Sequence, residues 1–151
     1  MSGWRKKQID KLNGVDMTMP AGKYYVGDLC YVMHESWDEV CGLFFKGRTD
    51  HGCNEGEFTL KDGRRFVSYN TKWGDGAYYD QNGNEYGVDA GLIGCIRFDD
   101  IDFTNDQNGI YGGNVIEFTS DFNHGGGRSD LGRNWDGVIR IGHVEIATDG
   151  E

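Results

Sequence analysis

Proline occurs once in this 151-residue chain, at Pro20, and no two of its four cysteines form a CxxC pair. No apolar run approaches the roughly 18 residues of a membrane-crossing helix. No N-terminal apolar stretch has the length of a signal peptide. These lacks argue against a transmembrane or secreted protein and against the usual zinc knuckles. They point to cytoplasm with reduced thiols. Hydrophobic residues are also scarce, at 37 % against a usual share of roughly 45–50 %.

Much of that deficit is glycine, 25 residues in all, where a typical chain has about 7 %. Aromatics stand at 13 %, which argues for an ordered chain. Glycine and aromatics with a single proline predict many short strands joined by tight turns. Net charge is −10. Residues 1–11 carry a local excess of positive charge from Arg5, Lys6, Lys7 and Lys11 against Asp10, so the rest is more acidic than the whole. Such a field repels phosphate backbones, excludes extended nucleic acid as a partner, and favours a partner with a basic face.

Residues 1–19 read as an N-terminal extension with one short amphipathic helix over 4–13, and 20–151 as a single β-rich domain. Gly22–Met33 reads as two strands or one broken at Gly27-Asp28. Ser36-x-x-Glu39 is a capping box, followed at helical spacing by Trp37, Val40, Cys41, Phe44 and Phe45, with a stop near Gly47. Two hairpins follow, Glu57–Tyr69 turning at Asp62-Gly63 and Ala77–Val88 turning at Asn82-Gly83. A two-residue loop in the second sets Tyr79 opposite Tyr86 and Asp80 opposite Glu85. Leu92–Phe98, Asn114–Thr119 and one long strand over Val138–Thr148 complete the set, with polar loops at Asp99–Gly113 and Ser120–Gly137. About eight strands and one clear helix predict a mainly β fold, an antiparallel β-sandwich or partly open barrel.

Four constellations could carry chemistry. Asp75, Asp80, Glu85 and Asp89 lie in or beside the second hairpin. Like charges opposed in a ladder favour a neutralising Ca²⁺ or Mg²⁺, although turn chemistry alone explains most of these residues. Cys30, His34, Cys41, His51 and Cys53 match zinc in type but not in spacing, so core packing is the better reading. Cys53 beside His51, or Cys30 with His34 and Asp28, could make a nucleophile and base. The loop residues His124, Gly125, Gly126, Gly127, Arg128, Arg133 and Trp135 combine free backbone amides, two guanidinium groups and an aromatic face. They could bind a protein partner or a nucleotide-like ligand. Several tyrosines are expected to be exposed and to offer an interaction surface.

The stretches Gly27-Asp28-Leu29-Cys30-Tyr31-Val32, Trp73-Gly74-Asp75-Gly76-Ala77-Tyr78 and Tyr86-Gly87-Val88-Asp89-Ala90-Gly91-Leu92-Ile93-Gly94 carry a resemblance. Over residues 22–97 the chain resembles a loose family of small, mostly uncharacterised proteins of bacteriophages and bacteria. Leu29 stands where that pattern has proline. The resemblance implies a β-rich fold, phage origin and a place in the host bacterial cytoplasm or the virion. It carries no activity to particular residues.

The leading expectation is an acidic interaction protein, rather than an enzyme, that binds and inhibits a host protein in takeover or anti-defence. The alternatives are a sponge for a nucleotide-like ligand, a metal-assisted hydrolase using the four hairpin carboxylates with His124 or His143, and a minor virion component. Open strand edges would also allow a homo-oligomer.

Overall fold

The computed structural model of the chain describes residues 18–44, 55–71, 74–102, 112–125 and 137–148. Among them are eleven strands: β1 (Thr18–Met19), β2 (Gly22–Gly27), β3 (Gly56–Thr59), β4 (Arg65–Asn70), β5 (Gly76–Asp80), β6 (Glu85–Val88), β7 (Leu92–Arg97), β8 (Asn114–Phe118), β9 (Phe122–Gly125), β10 (Val138–Ile141) and β11 (Val144–Ala147). They form two antiparallel sheets packed as a β-sandwich. The outer sheet runs β1-β9-β10-β11-β5-β6 and the inner sheet β3-β4-β7-β2-β8. Helix α1 (Trp37–Phe44) covers the far face of the inner sheet. The expected helix over 4–13 and the helix end near Gly47 lie outside the described residues.

The inner sheet is buried on both faces. Tyr24, Val26, Val67, Ile93 and Cys95 meet Ile139, Ile141, Val144 and Ile146 of the outer sheet. The alternate residues Tyr25, Phe66, Leu92 and Ile96 meet Leu29, Met33, Val40 and Phe44. That double burial explains why β7 reads as a near-continuous apolar run and not as an alternation. A Cβ on Gly94 would run into the Val67 carbonyl, so glycine lets β4 and β7 close together there.

Several local expectations are corrected. Leu29–Tyr31 forms a 3-10 turn instead of a second strand, because the Asp28 carboxylate accepts from the Cys30 amide at 2.9 Å and caps it. The capping box is not used. The Ser36 amide donates to Asp102 Oδ2 at 2.8 Å, and Glu39 accepts from the Lys61 amide at 2.6 Å. Both hairpins shift by one residue. Leu60 pairs with Arg64, and Asp80 with Asn84, across three-residue loops in which Gly63 and Gly83 take positive φ. Tyr78, not Tyr79, therefore opposes Tyr86, and Asp80 does not face Glu85.

Val138–Thr148 is a tight hairpin, not one strand. Ile141 pairs with Val144 around Gly142-His143, with Gly142 at φ 60°. The start of the expected 120–137 loop is strand β9, paired with β1 and β10. β1 in turn lies within the expected extension.

Candidate functional site

Among the described residues, three polar places and one open face hold the candidate residues. At one corner of the sandwich the edge of the inner sheet meets β1 and β9. The period-two alternation of β9 turns Phe122 and His124 inward and Asn123 outward. His124, expected on a loop, thus has a side chain closed off from solvent between the sheets. Its Nδ1 shares a 2.7 Å hydrogen bond with the Tyr69 hydroxyl. Among the described residues its Nε2 has no hydrogen-bond partner; it stands 3.6 Å from Glu57 Oε1, too far for a bond but within reach of the charge.

The other Glu57 oxygen is held by the Arg65 guanidinium, whose Nε donates at 2.7 Å. Arg65 also donates to the Thr18 carbonyl at 3.0 Å. Burial pushes the Glu57 carboxyl up, but His124 and Arg65 outweigh it and hold it below its ordinary value. Burial pushes the Tyr69 phenol up. With His124 and Tyr69 buried and Glu57 and Arg65 half-buried, this cluster joins two sheets. Of the other loop candidates, Gly125 ends β9, while Gly126, Gly127, Arg128, Arg133 and Trp135 lie outside the described residues.

The second place is the β5–β6 hairpin. Asp80 is buried, and its carboxylate accepts from the Asn82 amide (2.8 Å), the Asn84 amide (3.0 Å), Asn84 Nδ2 (3.1 Å) and the Tyr86 hydroxyl (2.8 Å). Burial pushes its carboxyl up, yet these donors together hold it below the usual range. Asp80 is thus committed to shaping the loop. Asp75, Glu85 and Asp89 are exposed, and Asp89 accepts from the Tyr31 hydroxyl at 2.7 Å. The four carboxylates are not gathered for Ca²⁺ or Mg²⁺. Among the described residues no group of three or more His, Cys, Asp or Glu side chains stands close enough to hold a metal ion. His143 lies at the β10–β11 turn, with its ring 5.3 Å from Phe118.

The third place joins the stretches 27–32 and 86–94. Asp28 is fully buried and accepts from the amides of Asp89 (2.8 Å) and Ala90 (2.7 Å) as well as Cys30. Burial, opposed by these amides, pushes its carboxyl up. The same burial, with the Asp28 charge, pushes the Cys30 thiol up, away from the thiolate that a nucleophile needs. His34 is exposed and Cys41 half-buried, while His51 and Cys53 lie outside the described residues.

The open face belongs to the outer sheet. Ala77, Tyr79, Glu85, Arg140, Glu145 and Ala147 point away from the core and are exposed. Tyr79, at 51 % exposure, is one of two large hydrophobic side chains exposed among the described residues; the other is Val115 on β8. The register that put Tyr78 on Tyr86 turned Tyr79 outward. Ala147 lies beside it on β11 and Glu85 on β6.

Among the described residues no helix is long and apolar enough to cross a membrane. Compared with protein-family models, curated proteins and solved structures, the chain matches none.

Proposed function

We propose that the chain is a small acidic interaction protein of the phage type, which binds and inhibits a host bacterial protein through a basic face of that partner. The observation that carries this reading is the open face of the outer sheet. A half-exposed tyrosine rises there from a platform of Ala77, Gly87 and Ala147. Small neighbours let a partner approach closely, and a tyrosine supplies a large contact area at low entropic cost. The net charge of −10 adds attraction to a basic surface. The titratable groups of the interior favour this reading over catalysis, because Asp28, Asp80, Glu57 and His124 face structural partners.

The test is capture of partner proteins from bacterial lysate by the purified chain and by Tyr79→Ala, at low and moderate salt. An aromatic anchor in an interface is worth about 2 kcal/mol or more, so capture should fall by about 30-fold. An exposed substitution should leave the melting temperature nearly unchanged. Capture that is reproducible but indifferent to Tyr79→Ala would remove the outer face from the reading, and no reproducible capture would remove the reading itself.

A further inference from the structure

The chemistry around Tyr79 names what the open face receives; the inference rests on the interaction reading above. Glu85 stands directly opposite Tyr79 on β6. Glu145 lies on β11, two residues before the Ala147 that pairs with Tyr79, and so on the same face. Both glutamates are exposed, and among the described residues neither carboxylate has a hydrogen bond or ion pair. The register neighbour of Glu145 on β10 is Arg140, but its guanidinium reaches the Val138 carbonyl at 3.5 Å. Gln81 is fixed on the backbone of the β10–β11 hairpin, accepting from the Glu145 amide at 2.8 Å and donating to the His143 carbonyl at 2.5 Å. It leaves the Glu145 carboxylate without a donor.

An aromatic ring with an unpaired carboxylate one strand away, about 5 Å across the ladder, is complementary to a cation that is flat as well as charged. A guanidinium can lie on the ring while its N–H fork reaches the carboxylate; an ammonium offers a point charge with no planar face. We infer that the outer face receives an arginine side chain from a basic segment of the partner protein. The guanidinium is seated on Tyr79 and hydrogen-bonded to Glu85, with Glu145 adding charge beyond Ala147. The small residues Ala77 and Gly87 leave room for the backbone of that segment.

The experiment is an NMR titration of the isotopically labelled full chain with a short capped Gly-Arg-Gly-Arg-Gly peptide, and with its lysine and glutamate counterparts. The arginine peptide is expected to shift residues 77–79, 85–87 and 145–147 first. It should bind about 3- to 5-fold more tightly than the lysine peptide, the margin of a surface cation–π contact. Tyr79→Ala should remove that margin. Glu85→Gln should weaken the arginine peptide about 3-fold and flatten its salt dependence. Equal binding of both cationic peptides, shifts spread over the whole acidic surface, or an unchanged margin in Tyr79→Ala would overturn the inference. Lysate capture separates the two claims. If capture still depends on Tyr79 while arginine shows no preference, the interaction reading stands and the arginine seat falls. Arginine preference with capture that ignores Tyr79 removes this face from the interaction reading and, with it, the partner's arginine from this seat.

Discussion

The two corners of the sandwich solve one problem with different chemistry. An edge strand presents unpaired N–H and C=O groups, which cost stability when shielded from water and invite pairing with other chains when exposed. At the β6 corner the closure is neutral. The Gly87 amide donates to the Gly112 carbonyl at 2.6 Å, and Asn114 Nδ2 donates to the Glu85 carbonyl at 2.9 Å. At the β3 corner it is ionic, through Arg65 to Glu57 and the Thr18 carbonyl, with the Tyr69–His124 bond behind them. A neutral closure is nearly indifferent to pH and salt, whereas an ionic one inherits the titration of its members. One fold thus has a fixed corner and a conditional one, and the conditional one precedes the glycine-rich stretch after β9.

Removing the cation should break the comparison most sharply. Arg65→Ala leaves Glu57 as a half-buried carboxylate with only a distant imidazole nearby. Losing one partner of such a pair costs more than the pair contributes, because the remaining charge stays desolvated. The arginine is partly exposed, which moderates the loss to about 2 kcal/mol. Urea denaturation of the two proteins measures it directly. A loss below about 0.5 kcal/mol would place this corner among ordinary surface ion pairs.

The ionic corner should also fade in acid. The Glu57 carboxyl is held below its ordinary value in the folded chain. Its contribution is therefore complete above the unfolded carboxylate value, about 4.3, and is lost as pH falls through the lower folded value. The stability gap between the wild-type chain and Glu57→Gln is expected to be widest above about pH 5 and to narrow toward pH 3. Asp80 titrates in the same sense in both proteins and cancels in the difference. A gap of equal size at pH 7 and pH 3 would mean that geometry rather than charge holds the corner.

How far these corners were legible in the sequence depends on the range of the forces that make them. The β-sandwich class, β7, β8 and the core of α1 follow from local pattern, because burial and periodicity act over a few residues. The hairpin at Gly142 was partly legible, though the stretch reads as one strand by hydrophobicity alone. The inward residues are Ile139 and Ile141 before the turn but Val144 and Ile146 after it, and that change of parity rules out one regular strand and leaves a bulge or a reversal. His124 was obscured by its polar and glycine neighbours, although Phe122-x-His124 is a two-residue repeat. The fate of Ser36 was not legible at all. Its amide and hydroxyl are taken by Asp102 and Arg64, far away in sequence. The one-residue slip at Asn82-Gly83 mattered most, since it decides that Tyr78 is core and Tyr79 is surface. The three-residue loop with Asp80 folded into it wins over the two-residue turn because four donors converge on that carboxylate.

The smallest expected effect is the one that sharpens the contrast. Asn114→Ala removes the Nδ2 donor from the Glu85 carbonyl and leaves the Gly87–Gly112 bond in place. The site is partly open, so water can replace the lost donor, and the cost should be about 0.5–1 kcal/mol. No ionised side chain takes part in either bond, so this loss should be the same at pH 4 and pH 7 and at low and high salt. If the Asn114→Ala loss instead tracked pH as the Glu57→Gln gap does, the two corners would share one electrostatic origin.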